Sequence, residues 1–367
     1  MIIAFDAKRV FHNRSGLGNF GRDLVRMMSR ELPDSQLVLL NPKASKLNFD
    51  LAENMLEIRP KQKLFSSVWR MRKAYDVARN QGAEIFHGLS NELPYGSSKG
   101  LKTVVSIHDL IFLRYPDWYK PIDRKIYLSK TKHACQKADC IVAISEQSKR
   151  DLIEFLNVPE EKIKVIYQTC HPAFRKIYSA EELEIIRKKY NLPQGFCLNV
   201  GSFEPRKNVK LILKALKKLP NEQFVAIGKH NAYLEELNAL AKDLGVEMRF
   251  RTPVVDSMED LAKIYQLADV FIYPSVFEGF GIPIIEALYS KTPVITNKFG
   301  VFAEAAGPNS FYIDVDKVEE LVSAVKQIRD PKTDLKHRIE ESRNFAEQFN
   351  PEQLSKIWKK LYQQLLS

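Results

Sequence analysis

The 367-residue sequence contains few cysteines and no long hydrophobic run, and each scarcity excludes a class of protein. Its four cysteines, Cys135, Cys140, Cys170 and Cys197, form no C-x-x-C pair and no His/Cys group with the spacing of a zinc site. We therefore expect buried, reduced thiols and no disulfide framework. The longest apolar runs have the length of a strand, well below the ~20 residues of a membrane-spanning helix.

The first residues show none of the features of a secretion signal. A strand-like run occupies residues 2–5, without a basic segment before it or a small-residue cleavage site after it. We expect a cytoplasmic protein.

The net charge of +11 is distributed unevenly along the chain. Residues 1–170 contain 28 Lys and Arg against 19 Asp and Glu, whereas the remainder contains 28 against 26. This asymmetry indicates an anionic partner for the first half, and a phosphate-bearing substrate, a membrane surface and a nucleic acid all remain open.

Strand-like runs alternate with helical patterns in two successive arrays. We predict strands at 2–5, 36–40, 85–87, 104–107 and 140–144, and again at 196–200, 224–227, 248–250, 270–273, 294–296 and 311–313. Ser145 is the predicted N-cap of the helix that follows the first array's last strand. The repeated β-α-β order predicts an α/β protein with two Rossmann-like domains, whose parallel sheets face a central cleft. We assign residues 1–170 to the first domain, 171–192 to an interdomain connection, 193–346 to the second domain and 347–367 to a helical segment that can pack back on the first domain.

The clearest motif is P-S-V-F-E-G-F-G-I-P-I-I-E-A at residues 274–287. A buried strand leads into a glycine-containing loop, and Pro283 suits the first turn of the next helix. The amides around this turn then form a site for an anion or for sugar oxygens, which the helix dipole strengthens.

Two carboxylates accompany the motif. Glu278 lies on the loop and Glu286 about one turn into the helix, so the two can bind different parts of one ligand. In isolation, they would be interpreted as a solvated loop acid and an acid that complements the helix dipole.

The whole segment resembles the signature of the family-4 retaining glycosyltransferases of GT-B fold. Their E-x-x-x-x-x-x-x-E pattern, within E-G-F-G-x-P-x-x-E-A, is matched at every fixed position, and further segments extend the resemblance over nearly the whole chain. The resemblance implies a retaining hexosyltransferase that needs no cofactor and moves a hexose from a nucleotide diphosphate to a hydroxyl of a glycan or lipid-linked acceptor. The second domain would bind the nucleotide sugar and the first the acceptor.

The same resemblance assigns roles in the motif. It implies that Glu286 holds the ribose, and that Glu278 holds the sugar together with the amides of Phe280, Gly281 and Ile282.

Two segments of the first domain carry further implied roles. S-G-L-G-N-F at 15–20 follows the first strand, and the resemblance places the Gly16 amide at the donor diphosphate, although a tight turn explains this glycine equally well. S-I-H-D-L at 106–110 ends a strand, and the resemblance makes His108 a sugar contact. The alternative is a buried histidine bonded to Asp109 or to backbone.

G-S-F-E-P-R-K-N at 201–208 follows the first strand of the second domain. Fixed cations there can hold a diphosphate and neutralise the charge that grows as the sugar leaves. We therefore predict this role for Arg206 and Lys207, with a solvated pair in a turn as the alternative. Many family members carry an arginine where this sequence has Ser202.

The D-V-D run at 314–316 resembles the metal-binding pair of a different glycosyltransferase fold. We favour Asp316 as a helix N-cap instead, because no third hard ligand is nearby in the sequence. We accordingly expect no metal site and a metal-independent reaction.

A basic stretch with aromatic residues spans 59–73 and can either lie on an anionic membrane or form a solvated face. Its members are Arg59, Lys61, Lys63, Leu64, Phe65, Val68, Trp69, Arg70, Arg72 and Lys73. A second set can extend this patch or bind a phosphate-bearing acceptor: Tyr119, Lys120, Arg124, Lys125, Lys130 and Lys132. In the membrane alternative, the protein is peripheral on the inner face.

The donor is the least constrained part of the prediction. The segments D-A-K-R at 6–9 and S-G-L-G-N-F at 15–20 resemble those of bacterial mannosyltransferases of surface polysaccharide synthesis. GDP-mannose is therefore the first candidate for the donor, and a UDP-hexose is the second. A sugar-nucleotide epimerase of the same fold is the alternative enzyme. A basic nucleic-acid-binding protein is a third class, but the chain has no recognised reading motif, and we expect no nucleic-acid partner.

Overall fold

The computed structural model describes residues 1–13, 16–45, 47–61 and 66–367. The chain divides into two compact units: Met1–Thr169 with Phe349–Ser367, and Cys170–Gln348.

The first unit is built around one parallel sheet. Its strands are β1 (Ile2–Asp6), β2 (Gln36–Leu40), β3 (Met55–Ile58), β4 (Ile85–Gly88), β5 (Lys102–Ile107), β6 (Cys140–Ala143) and β7 (Ile163–Val165). Its helices up to residue 169 are α1 (Lys8–His12), α2 (Gly16–Glu31), α3 (Ser66–Arg72), α4 (Ala74–Asn80), α5 (Ile111–Arg114), α6 (Pro121–Lys137) and α7 (Glu146–Leu156). Ser145 caps α7 as predicted, since its side chain accepts a hydrogen bond from the Ser148 amide.

The strands of this sheet lie in the order β3-β2-β1-β4-β5-β6-β7, all pairs parallel. Strands β1, β4 and β6 are almost entirely buried, as expected for a parallel sheet covered on both faces. The sequence analysis missed β3 and β7, which are the two edges. Both are short and partly exposed, so their apolar signal is weak.

The second unit contains a second parallel sheet. Its strands are β8 (Cys197–Val200), β9 (Phe224–Ile227), β10 (Phe250–Arg251), β11 (Val270–Tyr273), β12 (Val294–Asn297) and β13 (Phe311–Ile313). Its helices are α8 (Ala180–Lys189), α9 (Val209–Lys218), α10 (Ala232–Asp243), α11 (Met258–Leu267), α12 (Ile282–Tyr289), α13 (Phe302–Ala306), α14 (Val318–Arg329) and α15 (Leu335–Ala346).

The strands of the second sheet lie in the order β10-β9-β8-β11-β12-β13. A core of apolar side chains from β8, β9, α9 and α14 covers one face. The predicted strand at 248–250 is corrected: a 3₁₀ turn occupies Glu247–Arg249, and β10 begins only at Phe250. The predicted α/β class with two parallel sheets is confirmed.

Residues 171–192, which the sequence analysis assigns to a connection, are ordered parts of the second unit. They form a 3₁₀ turn, Pro172–Arg175, and then α8, whose N-terminus is fixed by a capping box of Ser179 and Glu182. The Tyr178 amide also donates to Gln266 on α11.

The last helix, α16 (Pro351–Leu366), belongs to the first unit. It begins after the N-cap Asn350 and packs beside α2, burying Trp358 and Tyr362 in the core of β1 and β4. The Tyr362 hydroxyl lies 2.8 Å from Nδ1 of the buried His87, which ties the helix to the sheet. Among the helices of the described ranges, none is both long and apolar enough to cross a bilayer.

Candidate functional site

The loop after β11 and the start of α12 form one side of the site in the second unit. Gly281 has φ 125°, a backbone conformation that side chains disfavour, and it turns the chain into α12. Pro283 lies in the first turn, as predicted. The amide of Val276 donates to the Arg206 carbonyl (2.8 Å), so the loops after β8 and β11 are joined.

Arg206, Lys207 and Glu278 meet in one cluster, in which Lys207 is buried and the other two are partly buried. Lys207 Nζ lies 2.6 Å from Glu278 Oε1, and Arg206 Nη1 lies 2.9 Å from Glu278 Oε2. Lys207 also donates to the Tyr273 hydroxyl (2.8 Å), and Arg206 Nε donates to Glu204 (2.9 Å). Each carboxylate oxygen of Glu278 therefore holds one cation in place.

The charge states of this cluster follow from its contacts. Burial by itself raises the pKa of Glu278, but Lys207 and Arg206 outweigh it and lower that pKa to about 2. Burial lowers the pKa of Lys207 despite the attraction of Glu278. Glu278 is thus ionised at neutral pH, and the buried Lys207 and the partly exposed Arg206 are fixed beside it.

Glu286 lies on α12 and is buried. The Tyr265 hydroxyl donates to Glu286 Oε2 (3.0 Å). Burial, with the neighbouring carboxylate, raises the pKa of Tyr265 well above its usual value. The phenol therefore stays protonated and orients one oxygen of the carboxylate.

Phe280, Gly281 and Ile282 lie at the N-terminus of α12, where first-turn amides point along the helix axis. The Phe280 side chain is buried in the unit's interior, so only its backbone can serve a ligand.

In the first unit, Gly16 is the first residue of α2 and its backbone is exposed. A Cβ atom there would meet no heavy atom within 4 Å, so packing does not demand a glycine. Gly18 differs, because its Cβ would overlap the Asn13 carbonyl oxygen. Packing in the fold thus explains Gly18 but not Gly16.

His108 follows β5 and is buried. Its Nε2 lies 2.9 Å from the Leu89 carbonyl oxygen, which fixes the proton on Nε2, and its Nδ1 faces the Gln168 amide at 3.2 Å. Burial lowers its pKa to about 4, so the ring is neutral. These contacts are those of the alternative interpretation, a buried histidine bonded to backbone. The ring nevertheless also lines a pocket.

This pocket of about 220 Å³ opens in the first unit between the loops after β4 and β5 and helix α6. Its wall combines the rings of Tyr119 and Tyr127 with the carboxylates of Glu92 and Asp109 and the cations of Arg9 and Lys130. Lys130 Nζ lies 3.1 Å from Glu92 Oε1.

The predicted basic face at 59–73 is wrong at Arg70. This arginine is buried, with Nη2 2.6 Å from Asp6 Oδ2 and Nη1 2.6 Å from Glu92 Oε2. Its charge is already neutralised inside the unit. Val68, Arg72 and Lys73 are exposed, whereas Lys63, Leu64 and Phe65 lie outside the described residues, as does Ser15.

The predicted N-cap role of Asp316 is also wrong. Helix α14 begins one residue later, after Lys317, and no side chain caps it. Asp314 instead accepts the Asp316 amide and lies 3.3 Å from Lys298 Nζ. Across the described ranges, no three His, Cys, Asp or Glu side chains are placed together to hold a metal ion.

Sequence reasoning missed Tyr265, Tyr273 and Glu204, the partners of the predicted charges. Tyr273 ends β11 directly before the motif, and a polar group closing a buried strand is a signal that could have been used. Tyr265 lies on α11, distant in sequence from Glu286, so no local pattern reveals it.

A known protein family matches each of the two parts of the chain. The model described as "Glycosyltransferase Family 4" matches residues 18–172, and "Glycosyl transferases group 1" matches residues 182–345. The O-antigen chain mannosyltransferase B of Escherichia coli is 26% identical over 349 residues, covering 89% of this chain and 90% of that protein. The serotype-specific mannosyltransferase WbdA of Escherichia coli is 34% identical over 218 residues, which are 56% of this chain but only 26% of WbdA.

Solved structures agree on the fold. A sucrose-phosphate synthase from Thermosynechococcus elongatus superposes with a TM-score of 0.80 at 19% identity, covering 100% of this chain and 99% of that one. WaaG, a glycosyltransferase involved in lipopolysaccharide biosynthesis, gives 0.74 at 17% identity, with 98% and 99% covered. The two parallel sheets and these neighbours thus define the class, a protein of GT-B fold. The chain belongs to the family-4 glycosyltransferases, and the predicted glycosyltransferase activity is confirmed.

Proposed function

We propose that the protein transfers mannose from GDP-mannose to a hydroxyl of a glycan or lipid-linked acceptor, with retention of configuration and without a metal ion. The observation that carries the proposal is a pair of cations in the loop after β8, the buried Lys207 and the partly buried Arg206, both held by Glu278. Mannose is proposed because the relatives O-antigen chain mannosyltransferase B and WbdA are mannosyltransferases by name. The same relatives support a role in bacterial surface polysaccharide synthesis.

The chemistry of the cluster suits the departure of a diphosphate. Negative charge grows on the leaving oxygen as the sugar departs, and preorganised cations stabilise this charge without having to reorient. The ammonium of Lys207 has three N–H donors, and its bonds to Glu278 and Tyr273 use two of them. In this proposal, the remaining donor and the Arg206 guanidinium face the diphosphate, and they replace a divalent ion.

The other donor contacts keep their proposed roles. Glu286, oriented by Tyr265, holds the ribose hydroxyls, while the α12 N-terminus and Glu278 hold the sugar. Gly16 is proposed for the diphosphate and His108 for the sugar. For retention, the departing phosphate accepts the proton of the attacking hydroxyl on the same face of the sugar, so that catalysis rests on positioning and electrostatics.

The acceptor site is proposed to be the pocket of the first unit. Aromatic rings stack on the apolar faces of sugars, and carboxylates accept hydrogen bonds from hydroxyls. Tyr119, Tyr127, Glu92 and Asp109 supply both kinds of group. Arg9 and Lys130 in the same wall balance the two carboxylates, and a neutral sugar end of a glycan suits this mixed lining.

A donor panel tests the proposal. GDP-mannose is expected to raise the melting temperature more than UDP-glucose at equal concentration, because a ligand at about 100 times its Kd adds roughly 2.7 kcal/mol. Mannose transfer to a mannosylated acceptor should continue in EDTA, with an α product by NMR. Activity that EDTA abolishes and a divalent ion restores would contradict metal independence. Conversion of GDP-mannose to another sugar nucleotide without acceptor would support the epimerase instead.

The Tyr265–Glu286 pair gives a separate prediction on nucleotide affinity. Glu286→Gln removes a charge-assisted contact to the ribose and should weaken GDP binding by about tenfold, with a smaller loss for Tyr265→Phe. Isothermal titration calorimetry with GDP measures both. Tyr289→Phe is the matched control, since this buried phenol on α12 bonds to the Ala346 carbonyl instead. Equal losses in all three variants would contradict the ribose role.

A further inference from the structure

A chain of alternating charges leads from the end of β1 to the acceptor pocket. It consists of Asp6 on β1, Arg70 on α3, Glu92 in the loop after β4 and Lys130 on α6. Asp6 and Arg70 are each 6% exposed, whereas the side chains of Glu92 and Lys130 are 17% and 33% exposed. The inner pair is therefore shielded from solvent, and the outer pair lines the pocket.

Arg70 has a fixed orientation because Asp6 holds one side of its guanidinium. Its Nε lies 2.7 Å from Asp6 Oδ2 and 2.9 Å from Oδ1, and its Nη2 lies 2.6 Å from Oδ2. This contact of two nitrogens leaves Nη1 directed at Glu92, whose Oε2 lies 2.6 Å away. A lysine has a single ammonium without this planar fork, so it would not hold both carboxylates in the same way.

The backbone of the loop that carries Glu92 is fixed by contacts of its own. A Cβ atom on Gly88 would lie 2.2 Å from the Glu92 carbonyl oxygen, so the loop folds tightly against the end of β4. Asn91 has a left-handed backbone conformation with φ 56°. Its side chain accepts from the His108 amide (2.9 Å) and donates to the Asp109 carbonyl (3.1 Å). The ion pairs of its carboxylate are then left to determine where the Glu92 side chain points.

The two oxygens of the Glu92 carboxylate have different surroundings. Oε2 is buried against Arg70, whereas Oε1 lies 3.1 Å from Lys130 Nζ in the pocket wall. Burial by itself raises the pKa of Glu92, but Arg70 and Lys130 outweigh it, and the pKa lies below its usual value. Glu92 is therefore ionised at neutral pH, and Oε1 is the oxygen that can accept a hydrogen bond from a ligand.

The contact between Arg70 and Glu92 is more than the fold requires. Asp6 already neutralises Arg70, so a second carboxylate is not needed to compensate a buried charge. A buried ion pair also gives little net stability, because the desolvation of both charges offsets their attraction. The pairing with Glu92 therefore serves the carboxylate in the pocket wall.

We propose that Arg70 is a positioning residue for the acceptor, which fixes Glu92 so that Oε1 accepts a hydrogen bond from one acceptor hydroxyl. Lys130 Nζ has further N–H donors, and one of them donates to the oxygen of a neighbouring hydroxyl. The class of acceptor is thus a sugar with two free hydroxyl groups side by side. The inference rests on the acceptor pocket of the proposed function, and it adds a residue outside the pocket wall on which acceptor recognition depends.

Acceptor kinetics of the full chain test the proposal, with GDP-mannose as donor and methyl mannobioside as the acceptor probe. Glu92→Gln should raise the acceptor KM about tenfold, since a charged hydrogen-bond acceptor is lost. Arg70→Lys should raise it by a similar factor, because the single ammonium pairs with Asp6 and releases Glu92. In both variants, kcat and the GDP affinity should stay within about twofold of wild type, because the contact is equally strong in the ground state and the transition state.

The Arg70→Lys/Glu92→Gln variant separates positioning from independent effects. If Arg70 acts through Glu92, this variant should have the acceptor KM of Glu92→Gln alone. The product of the two single effects, about 100-fold, would show another route and overturn the proposal. Arg114→Lys is the matched control and should keep the wild-type KM. Arg114 also bridges two carboxylates of the first unit, Asp151 (2.6 Å) and Glu154 (2.7 Å).

Monodeoxy analogues of the probe locate the contact. A site that hydrogen-bonds a hydroxyl binds the analogue without it more weakly, because a polar group is left unpaired. Two analogues that lack neighbouring hydroxyls should each bind wild type about tenfold more weakly than the probe. Glu92→Gln and Arg70→Lys should both lose the same one of these differences. Equal differences in wild type and Glu92→Gln for every analogue would contradict a contact between Glu92 and the acceptor.

Further outcomes decide the proposal where one variant or the donor fails. Glu92→Gln keeps Arg70 paired with Asp6, so it remains a test if Arg70→Lys does not fold, and an unchanged acceptor KM would refute the proposal. A GDP affinity that falls in Arg70→Lys as much as the acceptor KM rises would show a general loss of structure instead of positioning. If wild type transfers no mannose from GDP-mannose, the proposed donor is wrong. Calorimetry with methyl mannobioside alone then measures acceptor binding in the same variants, and equal affinities would overturn the role of Arg70.

Discussion

Replacing Lys207 with alanine is expected to lower turnover about 30-fold, with a much smaller loss of GDP affinity. At an effective dielectric of about 20, a cation about 4 Å from a unit negative charge gains roughly 4 kcal/mol. If desolvation of the cation halves this free energy, the remaining ~2 kcal/mol corresponds to about 30-fold in rate. Because charge on the leaving oxygen grows towards the transition state, the loss falls on kcat rather than on binding.

Steady-state kinetics with GDP-mannose measures turnover, and isothermal titration calorimetry with GDP measures the nucleotide affinity. Lys210→Ala is the matched control, since Lys210 lies three residues further on and pairs with Glu236 on the surface. Arg206→Ala should also be severe, because Ser202 supplies no second guanidinium. An Arg206→Ala/Lys207→Ala variant with normal turnover would refute the leaving-group role of the cluster.

The second large effect is expected for Glu278→Gln, which should destabilise the free protein and slow turnover, yet tighten GDP binding. Glu278 neutralises both cations in the free enzyme, so its removal leaves Lys207 buried without a carboxylate. Breaking a buried pair costs about 3 kcal/mol or more, and for a unit of this size that lowers the melting temperature by roughly 5–10 °C. The diphosphate then becomes the partner of the freed cations, and GDP affinity should rise about tenfold.

Thermal melting with and without GDP, followed by calorimetry, tests this pattern. Glu204→Gln is the control, because Glu204 contacts the same Arg206 from a more exposed position and should change melting by much less. A weaker GDP affinity in Glu278→Gln would show that the carboxylate contacts the nucleotide.

The structure changed the interpretation of several residues for reasons that no local pattern contains. Arg70 looked like a member of a basic face, but its ion pairs are with Asp6 and Glu92, 64 and 22 positions away in the chain. Asp316 looked like an N-cap, but α14 begins one residue later. Burial and long-range pairing decide the first case, which the neighbouring residues do not encode. The second is a shift of one residue in the start of the helix.

The sequence by itself determined the alternation of strands and helices, the two parallel sheets and the loop–helix motif with Glu278 and Glu286. These features depend on apolar periodicity, on glycine and proline at turns and on short-range spacing, all of which are local. Only the tertiary structure decided which charges meet. It brought Lys207 and Arg206 onto Glu278, Tyr265 onto Glu286 and Arg70 onto Glu92. The physical reason is that pairing and burial depend on how distant segments pack, which the order of residues along one segment does not specify.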